Sequence, residues 1–143
     1  MIIICTASQK MNSVFAHSFY FFSLVNSAEA GHARAVAFAS SFSGNVITTR
    51  WVLTEVADGL SRPSNRELFL RMHQDILAHP RFRIIGMSDE MYERGLKLYG
   101  ERLDKDWSLT DCVSFLVMQD LNIRECLTGD RHFEQAGFIA LLK

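Results

Sequence analysis

Residues 104–138 constrain the fold most. Within them Ser108-Leu109-Thr110-Asp111 has the pattern of a helix start that carries a carboxylate, and an apolar helix follows it. Glu125-Cys126-Leu127-Thr128 then reads as a short strand, and a second carboxylate follows at Asp130. When such a helix–strand unit packs on a parallel sheet, the helix start and the strand's carboxyl end lie at one edge of the sheet. Asp111 and Asp130 are therefore expected to converge although they are distant in the chain. Two acids at one edge can hold a hard divalent cation that keeps some of its waters.

The rest of the chain supplies partners for that unit. Val14, Phe15 and Ala16 form a short buried strand that runs through Ser13 to His17. The aromatic run of residues 18–25 fits strand or buried helix by periodicity, and a turn of the sheet at Ser18 favours helix. Residues 33–42 are alanine-rich and helical, 46–48 a second strand, and Thr49 caps a helix over 50–60 with Val52, Leu53, Val56 and Leu60 on one face. A helix over 65–79 is expected to bury Leu68, Met72, Ile76 and Leu77. Residues 82–86 give a third strand, and a helix from 88 to about 103 packs through Met91, Leu96 and Leu98. A short helix near 131–136 and a strand over 138–142 complete the pattern. Strands that alternate with helices, and that are apolar nearly throughout, predict an α/β three-layer domain whose central, mostly parallel sheet is flanked by helices. We expect residues 11–143 to form this one domain. Residues 1–10 are expected to be a poorly ordered extension, read from an upstream start codon, with a short extra strand as the alternative.

Composition narrows the function classes. With 48% apolar and 22% charged residues the chain is globular, and a net charge of −1 provides no basic footprint for nucleic acid. A metal in an acidic cleft inverts local charge, so a nucleic-acid substrate stays open. Cys5, Cys112 and Cys126 lack metal-ligand spacing and are read as reduced thiols of a cytoplasmic protein. The apolar start is too short to span a membrane. His32, His73, His79 and His132 share no ligand spacing with a cysteine or one another, so no zinc site is expected. There is no phosphate-binding glycine loop and no serine nucleophile elbow. Arg62, Arg66, Arg71, Arg81 and Arg83 read as ordinary surface charge, and the aromatic run 19–22 reads as core.

In an open α/β sheet, ligands bind outside the carboxyl ends of the strands. Glu55, Asp111 and Asp130 fall at such ends, and His17 ends the first strand. Each also has a purely structural role open to it. Asp111 completes a capping box with Ser108, Asp130 caps the short helix after it, Glu55 lies on a solvated face, and His17 is a hydrogen-bonded structural histidine.

Taken in order, four segments resemble the PIN domain family, most closely its VapC-type toxins of bacterial toxin–antitoxin systems. They are Val14-Phe15-Ala16-His17-Ser18-Phe19-Tyr20, Thr48-Thr49-Arg50-Trp51-Val52-Leu53-Thr54-Glu55, Trp107-Ser108-Leu109-Thr110-Asp111-Cys112 and Leu127-Thr128-Gly129-Asp130-Arg131-His132-Phe133. The resemblance implies a Mg²⁺- or Mn²⁺-dependent endoribonuclease that cleaves RNA phosphodiesters, an antitoxin partner and a homodimer. It assigns Glu55, Asp111 and Asp130 as catalytic, metal-holding carboxylates, and Ser18 and Thr128 as polar residues lining the substrate pocket.

His17 stands where the family's pattern has an aspartate, as the fourth member of the metal set. Neutral imidazole lacks the negative charge and hard oxygen that Mg²⁺ prefers. Three outcomes follow: weak metal binding by three acids, Mn²⁺ binding with His17 as a ligand, or lost cleavage with binding retained. The alternative function is a non-catalytic RNA- or protein-binding PIN domain, and beyond it an interaction scaffold with no metal.

Overall fold

The computed structural model describes residues 12–143. The expectations for residues 1–10 and for Cys5 lie outside them. Twelve elements follow one another: β1 (Ser13–Ala16), α1 (Ser18–Val25), α2 (His32–Ser41), β2 (Asn45–Thr49), α3 (Arg50–Gly59), α4 (Pro63–Ala78), β3 (Phe82–Ile85), α5 (Asp89–Glu101), α6 (Leu109–Asp120), β4 (Glu125–Leu127), α7 (Arg131–Gln135) and β5 (Ile139–Ala140). The strands form one sheet in the order β3-β2-β1-β4-β5, and every pairing is parallel. Helices flank it, as the alternation of elements requires.

The sheet's order fixes where a site can form. Chain direction across the sheet reverses between β1 and β4, the position where open parallel sheets leave a crevice at their carboxyl edge. Ala16 pairs with Leu127 in that ladder, so His17 and Thr128 leave the sheet side by side. Beneath them Val14, Phe15, Ala16, Cys126 and Leu127 are almost wholly buried. Burying an aliphatic or aromatic side chain of this kind contributes roughly 1.5–3 kcal/mol, which makes this ladder a firm base for the edge.

Two helices differ from expectation. α4 begins at Pro63 rather than at residue 65, because proline's missing N–H is one of the orphan donors of a first turn anyway. Its packed face is Phe69, Met72 and Ile76, while Leu68, Leu70 and Leu77 are exposed. α5 packs through Met91 and Leu98 as expected, but Leu96 is exposed, along with Tyr92 and Tyr99. Its contact with α6 is made at Gly95, where an added Cβ would sit 2.6 Å from Val113 Cγ2. The aromatic run of α1 is core as read: Tyr20 and Phe21 are buried, and Phe19 and Phe22 pack against them from its edge. The last strand is confined to Ile139–Ala140, since Phe138 instead closes the preceding turn onto the Phe133 carbonyl at 2.9 Å.

Candidate active site

Each of the expected side chains is delivered by a local device. β1 ends at Ala16, and His17 follows it as the N-cap of α1, although its side chain makes no cap hydrogen bond. Ser18 is the first residue of that helix. α3 is capped by Thr49, whose hydroxyl accepts the Val52 N–H at 3.1 Å, and it carries Glu55 toward α1. α6 starts in a reciprocal capping box: the Asp111 N–H donates to Ser108 Oγ at 3.0 Å, and the Ser108 N–H donates to Asp111 Oδ2 at 3.2 Å. α7 is capped by Asp130, whose Oδ1 accepts the His132 N–H at 2.9 Å. Gly129, between Thr128 and Asp130, leaves room for the Phe19 ring, which a Cβ there would approach to 2.6 Å.

These devices bring the predicted residues together. The Ser18 hydroxyl donates to Glu55 Oε1 at 2.5 Å. His17 Nε2 lies 3.3 Å from Ser18 Oγ and 3.4 Å from Asp111 Oδ1. His17 Nδ1 lies 3.1 Å from Thr128 Oγ1, which also accepts the Asp130 N–H at 3.0 Å. One residue the sequence did not single out joins them. His132 Nδ1 sits 3.0 Å from Asp111 Oδ2 and 3.5 Å from Asp130 Oδ2. Histidine–cysteine ligand spacing does not test a histidine against carboxylates, and the only signal for His132 was its place two residues beyond Asp130.

The network assigns the proton positions. A lone pair of His17 Nε2 facing the Asp111 carboxylate would be repulsive, so Nε2 carries hydrogen, shared between Asp111 and Ser18. Nδ1 then accepts from the Thr128 hydroxyl. Donation thus runs in one direction, from the Asp130 N–H through Thr128, His17 and Ser18 to Glu55. His132 Nδ1 has only carboxylate oxygens before it and must donate. Among the described residues no buried side-chain nitrogen or oxygen lacks a partner.

Electrostatics follow from this geometry. Burial by itself pushes the Asp111 carboxyl up, but hydrogen bonding from His17, with the Ser108 N–H and His132, outweighs it and holds the group below its ordinary value. Cys112 is pushed up to about 11 by burial and by Asp111, and Cys126 well above its ordinary value for the same reasons. Both are free, buried thiols, which places them in the core. Asp130 is the more open of these two acids, its side chain 30% exposed against 5% for Asp111.

The model of the PIN domain matches residues 20–139. The chain belongs to the PIN domain family. Among solved structures, this PIN domain is similar to Mycobacterium tuberculosis VapC20, a toxin that cleaves the sarcin-ricin loop. The TM-score is 0.80 at 23% identity, over 88% of this chain and 96% of that one. It is similar also to FitAcB of Neisseria gonorrhoeae, with TM-score 0.63 and 15% identity over 89% and 95% of the two chains. A third likeness is to VapBC2 of Rickettsia felis, bound to a DNA fragment from its promoter, with TM-score 0.62 and 14% identity over 90% and 96%. Comparison with curated protein sequences finds no match. At these identities the likenesses establish the fold.

A divalent ion is what the family resemblance implies for this edge, and the donor set can be tested against it. Among the described residues no three His, Cys, Asp or Glu side chains are arranged to hold one metal ion. Both Asp111 oxygens face imidazole nitrogens, and Glu55 Oε1 is taken by Ser18. Among the described residues no buried polar side-chain atom is left orphaned for an ion to satisfy. As arranged, this PIN domain's cluster does not fit an all-oxygen Mg²⁺ site.

Proposed function

We propose that this PIN domain acts as, or descends from, an endoribonuclease toxin of the VapC kind, cleaving RNA phosphodiesters at the edge between β1 and β4. Glu55, Asp111 and Asp130 are the reactive carboxylates of this reading, with His17 as the altered fourth member and Ser18 and Thr128 lining the pocket. One observation carries it: acids drawn from α3, α6 and the turn before α7 are joined into a single hydrogen-bonded cluster at the sheet's switch point. The likeness to VapC20, described as a sarcin-ricin loop cleaving toxin, supports RNA as the substrate class. Mg²⁺ or Mn²⁺ is the cofactor the family resemblance implies, and the imidazoles on both Asp111 oxygens stand against a resident Mg²⁺ in the natural chain. The likeness to VapBC2 supports an antitoxin partner, and we add a homodimer from the family resemblance. No helix among the described residues is long and apolar enough to cross a membrane, and we place the protein in the cytoplasm.

The experiment compares cleavage of total RNA and of a sarcin-ricin loop oligonucleotide by the natural chain, His17→Asp and Asp111→Asn, with Mg²⁺ and with Mn²⁺. Cleavage by the natural chain or His17→Asp, at least about a hundredfold above Asp111→Asn, supports the reading. No cleavage by either under any condition overturns the enzyme.

A second reading has its own observation. An imidazole occupies the first acidic position and satisfies the acid beside it. That favours a PIN domain that binds RNA or protein without cutting. It is the outcome if the natural chain binds RNA yet leaves it intact while His17→Asp cleaves.

A further inference from the structure

We infer that His17 and His132 take the place of the divalent ion: their N–H groups hold the acidic cluster closed, so the cluster is complete without Mg²⁺. The inference concerns the same edge as the ribonuclease reading and rests on its assignment of the cluster, but its test requires no catalysis.

Carboxylates gathered at one buried edge need positive charge or hydrogen-bond donors between them, since neither burial nor mutual repulsion favours them ionised. In an all-acid site a cation meets that need. Here the donors belong to the chain. Asp111 is almost fully buried, with His17 Nε2 3.4 Å from its Oδ1, and takes the His132 and Ser108 N–H groups on Oδ2. His132 reaches on to Asp130, and Ser18 supplies Glu55. Every acid of the cluster thus has a protein donor, and the two imidazoles lie where their nitrogens face the acids across the cleft.

His17 is also locked into this role. Thr128 Oγ1 accepts the Asp130 N–H and holds His17 Nδ1 at 3.1 Å, which turns His17 Nε2 toward Asp111 and Ser18. The Phe133 ring, tilted with its centroid 4.7 Å from the imidazole's, fixes its plane. His132 is a positioning residue of the same kind: it touches two acids, and its backbone N–H is held by one of them.

The test is thermal unfolding in excess chelator and in Mg²⁺ alone, with RNA cleavage recorded separately. The natural chain is expected to show the same Tm in both. His17→Asp places a fourth carboxylate beside buried Asp111. It should melt lower than the natural chain in chelator and rise by roughly 5–10 °C at about a hundredfold Mg²⁺ excess over Kd. For His132, His132→Asn keeps a donor near the Nδ1 position and should hold a Tm close to the natural chain, whereas His132→Leu should fall well below it. A natural chain that Mg²⁺ stabilises as much as it stabilises His17→Asp overturns the inference. So does equal behaviour of His132→Asn and His132→Leu, which remains measurable if His17→Asp fails to fold. If the Tm pattern holds and no variant cuts RNA, the ribonuclease reading fails alone. If RNA is cut and the natural chain gains Tm with Mg²⁺, the present inference fails alone.

Discussion

Thr128 Oγ1 meets His17 Nδ1 at 3.1 Å across 111 positions of chain, directly above the rung where Ala16 pairs with Leu127. The same hydroxyl oxygen accepts the Asp130 N–H. Thr128→Val preserves shape and removes both bonds. We expect a loss of about 2–4 kcal/mol, since each buried polar group left unpaired costs roughly 1–3 kcal/mol. Thr128→Ser keeps the hydroxyl and should lose less than about 1.5 kcal/mol. Urea midpoints check this, and equal losses for the two variants would show that the hydroxyl is idle.

Asp111 predicts a pH dependence with a definite sign. Its folded pKa lies below the ordinary 3.8. A carboxyl depressed by folding adds stability above its unfolded pKa, and that stability drains away as pH falls through the folded value. The natural chain's advantage over Asp111→Asn should therefore be full at about pH 6 and shrink below about pH 4. Denaturation series at several pH values measure the gap, which would stay constant if Asp111 were uncharged in the folded protein.

Gly95 sets two effects against each other. Alanine is favoured over glycine in a helix interior by roughly 1 kcal/mol. Its Cβ would approach Val113 Cγ2 to 2.6 Å, and Val113 is fully buried with a stiff branched side chain. Overpacking of this kind costs about 1–3 kcal/mol, so Gly95→Ala should be net destabilising, by about 1 kcal/mol. A rise in Tm would mean that α5 and α6 part easily.

The thiols make a simple check on the core. With Cys112 pushed up to about 11 and Cys126 higher still, the thiolate fraction at pH 8 is on the order of 0.1% or less, and both groups are shielded. In a Cys5→Ser chain, Ellman's reagent should label no thiol of the native protein and two after unfolding. Rapid native labelling would place Cys112 nearer the surface than its packing in α6 allows.

Much of this arrangement was readable from the residues. The apolar runs 14–16 and 126–127 mark strands buried on both faces, and Ser108 with Asp111 marks a helix start by capping chemistry alone. The structural readings of two acids hold: Asp111 does complete a capping box and Asp130 does cap α7, and both also meet the His132 imidazole. α4 was harder. With apolar residues at 68, 69, 70, 72, 76 and 77 it offers more than one stripe, and only the neighbours it meets choose Phe69, Met72 and Ile76 over Leu68 and Leu77. His132 was illegible for a related reason. Its partners are carboxylates brought near by two different helix starts, a coincidence of tertiary placement that no spacing between histidines encodes.

The capping box at the head of α6 gives position 111 two employments. Replacing that aspartate unravels a helix start whatever the cleft does, so its retention in any relative says little about whether that relative cuts RNA. Position 17 carries no capping duty, because its side chain makes no cap hydrogen bond. In this chain a substitution at position 17 therefore costs α1 no cap, and its effect is felt in the cleft, where the imidazole meets Asp111, Ser18 and Thr128.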